Sequence, residues 1–322
     1  MAPQVSVVIP MFNEAENAAD TLAAVRDALT SRGWSFEIVP VNDGSTDSTA
    51  EELERLAAAD PHIHPVIYRV NRGRGYALRQ GFAASRGEIV AALDADLSYT
   101  VDHLTRMVDL LHEDPEADIV IASPYMPGGS VEGVPFVRLA FSRVGNVVLR
   151  AALPKKIYTS TGVVRAYRGE ALRSLDLESD GKEIHLEILS DALSLGYRVV
   201  EMPATLRARK KGRSKFRPRA TVTSHLLFSV LARPAVLFGA FGLLLLLAGF
   251  VVGVYLLAVF LGGELNPERP LMTLMVLLLL GGTGALAFAV LASQLIELKR
   301  SVVRLQADVM RFGRSSDDNN DA

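Results

Sequence analysis

The sequence predicts an α/β fold with a mostly parallel, doubly wound sheet, followed by a hairpin of two transmembrane helices. Over residues 5–122, short apolar runs of strand length alternate with helical patterns, an order that favours a parallel sheet covered by helices. Near the C-terminus, segments 234–263 and 270–296 contain no charged residue. Both are longer than the roughly 20 residues that a membrane span needs.

The expected elements of the α/β part follow directly from these patterns. Apolar runs bounded by polar turns predict strands, and apolar residues three or four apart predict helices. In order, they are strand 5–9, helix 15–29, strand 36–41, a helix around Leu53 and Leu56, strand 65–70, helix 76–85, strand 89–93, helix 101–111 and strand 118–122.

Composition excludes several classes of function. The 322 residues carry a net charge of only −2, so no overall nucleic-acid signature exists, and no nucleic-acid partner is expected. Without cysteine, disulfides, zinc–thiolate sites and thiol nucleophiles are excluded. The N-terminus leads almost directly into the first strand rather than into a signal peptide. We therefore expect the α/β part to stay on the cytoplasmic side.

Polar residues cluster where the predicted strands end. In open parallel sheets, ligands bind beyond the carboxyl ends of the strands, and segments 10–14, 42–43, 72–75 and 94–96 all lie there. Asp94 and Asp96 are the most informative, because two carboxylates at the end of a buried strand are costly without a cation. Mg²⁺ typically binds one or two carboxylates together with substrate phosphates. The alternative is an ordinary polar turn.

The region before the apolar segments is strongly basic. Nine Lys or Arg residues and no acid occur between Arg207 and Arg233. A nucleic-acid patch is one reading, but the two spans that follow favour a membrane role. Basic residues on both flanks of the spans place those flanks in the cytoplasm by the positive-inside rule. Earlier, segment 135–156 is apolar with interspersed arginines, which fits either an interfacial helix or a core helix.

A further apolar pattern follows the second span. Its residues repeat at spacings of three and four, as in the seam of a coiled coil: Leu295, Leu298, Val302, Leu305, Val309 and Phe312. Association into a homo-oligomer through this helix is one interpretation. The alternative is one amphipathic helix that lies on the membrane or on the chain's own α/β domain.

These observations divide the chain into six expected parts. A cytoplasmic catalytic domain would occupy residues 1–219, with 135–156 as its interfacial helix, and a juxtamembrane segment would occupy 220–233. The spans would be 234–263 and 270–296, followed by an amphipathic helix at 297–312 and a disordered polar tail at 313–322. Both termini would then be cytoplasmic.

Five segments together carry a resemblance to a known family. They are the strand end at 7–14, the Asn-Asp-Gly-Ser segment at 42–47, Asp-Ala-Asp at 94–96, the segment at 161–167 and the Arg-x-x-Gly-x-Ser-Lys loop at 209–215. In this order they resemble the inverting family 2 glycosyltransferases with a GT-A fold. Within that family, the chain is most similar to the polyprenyl-phosphate glycosyltransferases, which act on dolichyl or undecaprenyl phosphate.

The resemblance implies a role for each motif. A nucleotide sugar, GDP-mannose or a UDP-hexose, would be the donor, a polyprenyl phosphate in the bilayer the acceptor, and Mg²⁺ or Mn²⁺ the cofactor. Asp94 and Asp96 would hold the metal and, with Arg209 and Lys215, form the catalytic set. The donor-binding residues would be Pro10, Phe12, Glu14, Val41, Asp43, Asp94, Ala95, Asp96, Arg209 and Lys215. Arg138, Ser142 and Arg143 would bind the acceptor phosphate.

Three positions depart from the family's pattern. Ser98 stands where a metal-associated Gln is frequent, Pro124 where an Arg is common, and Thr159 where an Asp often occurs. These departures bear on the identity of the sugar and also leave room for a non-catalytic membrane scaffold. A processive polysaccharide synthase is the other alternative, but it would usually carry a Gln-x-x-Arg-Trp motif, and the only tryptophan here is Trp34.

Overall fold

The structure, a computed structural model, describes residues 2–133, 157–159, 162–207, 234–262 and 270–318. The chain divides into two compact units, Met1–His225 and Leu226–Ala322. The expected interfacial helix at 135–156 and the juxtamembrane segment at 220–233 lie outside the described residues.

The first unit is built from alternating strands and helices, as expected. Its described elements are β1 (Val5–Met11), α1 (Ala15–Ser31), β2 (Phe36–Asp43), α2 (Thr49–Ala59), β3 (Val66–Tyr68), α3 (Arg74–Ala84), β4 (Ile89–Ala92), α4 (Val101–Glu113), β5 (Ile119–Ser123), β6 (Ser130–Glu132), β7 (Arg165–Arg168), α5 (Gly169–Arg173), α6 (Ile184–Ser194), β8 (Val199–Pro203) and β9 (Thr205–Arg207).

Seven strands form one sheet in the order β3-β2-β1-β4-β7-β5-β8. All neighbours in it are parallel except β7, which runs antiparallel to both β4 and β5. A separate two-stranded parallel sheet joins β6 to β9. The expected mostly parallel sheet is therefore confirmed. The sequence patterns did not reveal β6, β7, β8 and β9.

Apolar side chains cover both faces of this sheet. Val7 and Ile9 of β1 belong to the core that includes α1 and α4. Val8, between them in sequence, points the other way and belongs to the core that includes α3 and α6, because successive strand residues face opposite sides. Burying each large aliphatic side chain contributes about 1.5–3 kcal/mol. The two cores explain why apolar residues occupy both faces of the central strands.

The ends of the strands differ from expectation in one useful way. β1 and β2 each extend two residues beyond the expected ends, because their ladder continues through Pro10 opposite Val41 and Met11 opposite Asn42. β3, at the edge of the sheet, is paired only over Val66–Tyr68. Polar residues at the end of β2 are thus part of the sheet itself, which fixes their backbone.

The second unit contains α7 (Pro234–Leu261) and α8 (Pro270–Asp318). Within them, Leu237–Leu261 and Pro270–Leu295 are long and apolar enough to span a membrane. α8 does not end at residue 296: it runs through the expected amphipathic helix and over residues 313–318, where we expected a disordered tail. Residues 297–318 contain no proline, and their one glycine, Gly313, costs only about 1 kcal/mol.

Candidate functional site

The carboxyl ends of β3, β2, β1 and β4 lie side by side at one edge of the sheet. The sequence predicted that the polar segments following these strands would meet there, and the contacts agree. Asn13, after β1, accepts a hydrogen bond from the backbone N–H of Thr46, after β2, at 2.7 Å. Arg74, after β3, lies 3.6 Å from Asp94, after β4. This edge is the candidate site.

The loop that carries Asp94 and Asp96 is held firmly on both sides. Thr21 of α1 donates its hydroxyl to the carbonyl of Ala95 at 2.7 Å, and the N–H of Ser98 donates to Oδ1 of Asp96 at 3.0 Å. Leu97 has a φ of +49°, a conformation that costs a non-glycine residue about 1–2 kcal/mol. Such strain persists where surrounding contacts over-determine the loop, and it is frequent at functional sites.

Asp94 and Asp96 fit a hard divalent cation. Both carboxylates are only partly buried, so water and a ligand's phosphates can complete the coordination. Among the described residues, no group of three or more acidic, His or Cys side chains is placed to hold a metal. Asp94 and Asp96 thus offer two carboxylates, and Mg²⁺ often binds one or two carboxylates together with substrate phosphates.

Asp43 was expected to contact the donor. In the structure, its carboxylate accepts hydrogen bonds from a turn of the protein. Its carboxylate accepts hydrogen bonds from the hydroxyl of Tyr68 at 3.0 Å, the amide of Asn71 at 3.0 Å, and the backbone N–H groups of Arg72 at 2.8 Å and Gly73 at 3.1 Å. Two carboxylate oxygens offer about four acceptor positions. Asp43 thus fixes the turn that leads into α3 and so places Arg74.

The close approach of this turn to the end of β2 requires glycine at position 44. Gly44 has a φ of +60°, and a Cβ there would collide with the backbone of Asn71. Burial, together with the adjacent Asp43 carboxylate, raises the pKa of Tyr68 well above its usual range. Tyr68 therefore remains a hydroxyl that donates to Asp43 at any physiological pH.

The remaining expected donor-binding residues lie along the ends of β1 and β2. Pro10 and Val41 face each other across the ladder, and Phe12 is half-buried just beyond. Glu14 is buried: its carboxylate accepts from the amide of Asn17 at 2.6 Å, and its N–H donates to the hydroxyl of Thr49 at 2.9 Å. Glu14 thus ties the start of α1 to α2.

The antiparallel strand β7 brings a buried arginine behind the site. Arg165 is fully buried and donates to the carbonyls of Gly162 and His185, each at 2.9 Å. Burial lowers the pKa of this guanidinium. Nearby, Thr159, one of the departures from the family pattern, shares a 2.7 Å hydrogen bond with Ser123. These contacts tie β7 to its neighbours.

Arg74 lies at this edge but was not among the predicted site residues. It is the first residue of α3, and its guanidinium is the cation next to Asp94. The signal was present in segment 72–75, a basic turn at a strand end, but the sequence does not say which of its two arginines faces Asp94.

Five predicted site residues lie outside the described part of the chain: Arg138, Ser142, Arg143, Arg209 and Lys215.

Comparison with known proteins points to one family. The family model "Glycosyl transferase family 2" matches residues 6–176. The polyprenol monophosphomannose synthase of Mycolicibacterium smegmatis is 36% identical over 216 residues, which are 65% of this chain and 79% of that protein. The undecaprenyl-phosphate mannosyltransferase of Micrococcus luteus is 33% identical over 219 residues, 66% of this chain and 87% of that protein.

A solved structure shares the fold at lower identity. Glucosyl-3-phosphoglycerate synthase from Mycobacterium tuberculosis, in complex with Mn²⁺, UDP-glucose and phosphoglyceric acid, aligns with a TM-score of 0.52 and 20% identity. The alignment covers 71% of this chain and 78% of that one. It supports the expected GT-A-like arrangement of a mostly parallel sheet with helices.

Proposed function

This chain belongs to glycosyltransferase family 2, and from that premise we propose that it transfers one sugar from a nucleotide-sugar donor to a polyprenyl phosphate, giving a lipid-linked monosaccharide. The family resemblance drawn from its motifs is confirmed by the match over residues 6–176. The relatives compared above are a polyprenol monophosphomannose synthase and an undecaprenyl-phosphate mannosyltransferase. Two helices long and apolar enough for a bilayer suit a lipid acceptor.

The observation that carries the proposal is the loop with Asp94 and Asp96 at the carboxyl edge of the sheet, where Arg74 lies 3.6 Å from Asp94. The two carboxylates would hold Mg²⁺ or Mn²⁺, which when bound supplies positive charge against the diphosphate of the donor. Arg74, 3.6 Å from Asp94, adds a second positive charge at the same place. Charge that develops on the leaving diphosphate would meet preorganised positive charge there.

The donor's nucleoside would lie along the ends of β1 and β2. Pro10, Phe12, Glu14 and Val41 line this part of the edge. Asp43 contributes through the turn that it holds, since its acceptor positions are filled by Tyr68, Asn71, Arg72 and Gly73. GDP-mannose and UDP-hexoses remain the candidate donors.

The phosphate of the polyprenyl acceptor would itself be the nucleophile. A phosphomonoester has a second pKa of about 6, so it is largely an anion near neutral pH and needs no strong general base. Arg138, Ser142 and Arg143 would bind this phosphate, since arginine suits bidentate contact with phosphate oxygens. Arg209 and Lys215 would add positive charge around the diphosphate. The catalytic unit and both termini would face the cytoplasm, where nucleotide sugars are made.

The test is sugar transfer by the full-length protein in detergent or nanodiscs. We expect the Asp96→Ala variant to lose transfer to polyprenyl phosphate by at least about 100-fold, the lower end of what loss of one key electrostatic group costs. EDTA should abolish transfer by the wild type. Glu54→Ala, at an exposed acid on α2, is the matched control and should keep full activity. Turnover by the Asp96→Ala variant at the wild-type rate in the presence of EDTA would refute the proposal.

A further inference from the structure

The short strand β9 is attached to the loop that carries Asp96. In a strand, the N–H groups of alternate residues point to the same edge. The N–H of Arg207 donates to the carbonyl of Ser98 at 2.9 Å, and the N–H of Thr205 donates to Nε2 of His103 at 3.0 Å. The other edge of β9 pairs with β6. A ring nitrogen therefore takes the place of a backbone carbonyl in this ladder.

The contacts of His103 define its protonation state. Because Nε2 accepts the N–H of Thr205, it carries no proton, so the imidazole is neutral and its proton is on Nδ1. Nδ1 lies 2.9 Å from the hydroxyl and 3.3 Å from the carbonyl of Thr100, both of which can accept. The ring thus bridges the first turn of α4 to β9, and only its neutral form can do so.

This bridge connects to the candidate metal site through one residue. The carbonyl of Ser98 accepts from Arg207, while the N–H of the same residue donates to Oδ1 of Asp96. The position of β9 therefore affects the peptide that orients the Asp96 carboxylate. Partners that orient metal ligands typically change metal affinity by about 10–100-fold when they are lost.

We propose that His103 is a positioning residue that holds β9 against the Asp96–Ser98 loop, so that protonation of its ring weakens divalent-cation binding by Asp94 and Asp96. The proposal rests on the proposed function, since it concerns the same metal site. His103 touches neither carboxylate. Its effect passes through Thr205, β9 and Ser98.

The surroundings of His103 set the pH at which the bridge would open. Burial lowers the pKa of His103, and the positive charges of Arg106 on α4 and Arg207 on β9 lower it further. The carboxylate of Asp102 acts in the opposite direction and raises this pKa. Arg207 is itself close to Glu132 of β6, at 3.3 Å. The ring of Tyr99 stands edge-on to the imidazole at 5.9 Å between centroids.

The sign of the pH effect follows from this lowered pKa. The bridge is complete where the imidazole is neutral, above the ordinary histidine value of about 6.5. It is lost as the pH falls through the lowered value, because a protonated Nε2 would donate and the Thr205 N–H would lose its acceptor. Metal affinity should therefore fall in acid more steeply than carboxylate protonation alone requires.

The experiment measures the Mn²⁺ affinity of the full-length protein without donor, by the electron paramagnetic resonance signal of free Mn²⁺. His103→Gln keeps an acceptor near the position of Nε2 but does not titrate. As the pH falls from 7.5 through the lowered pKa of His103, we expect the wild-type Kd to rise about 10-fold more than the Kd of His103→Gln. Protonation of Asp94 and Asp96 contributes equally to both proteins, so the difference isolates the imidazole.

Two further variants separate this effect from general instability. His103→Ala, which removes the acceptor, should bind Mn²⁺ about 10-fold more weakly at pH 7.5 as well. His112→Gln, at an exposed histidine near the other end of α4, is the control and should match the wild type at every pH. Equal pH slopes for the wild type and His103→Gln would overturn the proposal. A wild type that binds no Mn²⁺ would instead refute the proposed metal site.

A measurement on the wild type covers the case in which the variants do not fold. Long-range ¹H–¹⁵N spectra of protein labelled at histidine report the tautomer of each ring, and the His103 signal can be assigned by replacing the other five histidines one at a time. We expect a proton on Nδ1 at pH 7.5 and a pKa below about 6.5. A proton on Nε2 would overturn the proposal.

Discussion

Asp43 ends β2 and Asp94 follows β4, on either side of β1 at the same edge of the sheet, and the two carboxylates have different roles. Asp43 accepts hydrogen bonds from three consecutive residues of the β3–α3 turn, Asn71, Arg72 and Gly73. Asp94 instead lies 3.6 Å from the guanidinium of Arg74, which the same turn places. Asp43 thus stabilises the turn, and the turn places the guanidinium of Arg74 beside Asp94. Removing either partner should change the site in a distinct way.

Replacement of Arg74 by Gln should weaken donor binding more than metal binding. Arg74 is the cation next to Asp94 and, when a divalent ion binds there, should contact the diphosphate. Loss of one charge-assisted contact costs about 1.5–3 kcal/mol, so the KM for the nucleotide sugar should rise about 10-fold or more. Mn²⁺ affinity without donor should stay level or increase, because a competing positive charge is gone.

The matched control for Arg74→Gln is Arg69→Gln, at an exposed arginine just after β3. It removes the same charge from the same edge and should leave KM unchanged. Steady-state kinetics and Mn²⁺ titration of both variants would decide. An unaltered donor KM in Arg74→Gln would contradict a diphosphate contact.

At the scale of elements, local patterns predicted the existence and order of the first five strands well, their exact ends less well, and long-range contacts poorly. The run before Asp94 reads as a buried strand, and β4 ends at Ala92. The full set of partners of Asp43 could not be predicted from the sequence. They lie 25–30 residues away along the chain and include backbone N–H groups that any sequence would supply. β7 was missed for a similar reason: its pairing with β4 and β5 joins segments distant in sequence.

The pairing of α7 and α8 depends on small residues, as is usual where helices approach closely in lipid. A Cβ built on Gly242 would lie 2.8 Å from the carbonyl oxygen of Gly282 and 3.0 Å from the backbone N of Leu286. Backbone atoms of a neighbouring helix cannot move aside individually. Gly239, one turn earlier, has much more room, since its Cβ would meet only the Cβ of Ala289 at 4.0 Å.

This contrast predicts opposite effects for two similar substitutions. Alanine favours a helix over glycine by about 1 kcal/mol, so Gly239→Ala should leave the thermal unfolding temperature in detergent unchanged or slightly higher. Gly242→Ala gains the same propensity but must separate the helices, and overpacking typically costs about 1–3 kcal/mol. We expect its unfolding temperature to fall. Equal temperatures for the two variants would show that this contact does not stabilise the hairpin.

At the scale of the whole molecule, α8 is longer than a membrane requires. Its 49 residues extend about 74 Å at 1.5 Å per residue, whereas the hydrocarbon core is about 30 Å thick. An apolar seam continues along the helix past its apolar segment. Leu295, Leu298 and Val302 are 70%, 62% and 47% exposed in the single chain. In lipid such exposure is harmless, but in water each large apolar side chain forfeits about 1.5–3 kcal/mol of burial.

We therefore expect the seam to bring α8 helices of several chains together as a homo-oligomer. The side chains of Leu305, Val309 and Phe312 lie outside the described part, but the spacing places them on the same seam. Leu305→Asp should convert an oligomer in mild detergent into monomers, as measured by light scattering with chromatography. Ala307→Asp puts the same charge on the opposite face and should leave the oligomer intact. A wild type that is already monomeric in mild detergent and in nanodiscs would rule out this contact and leave the membrane surface or the chain's own catalytic unit as the partner of the seam.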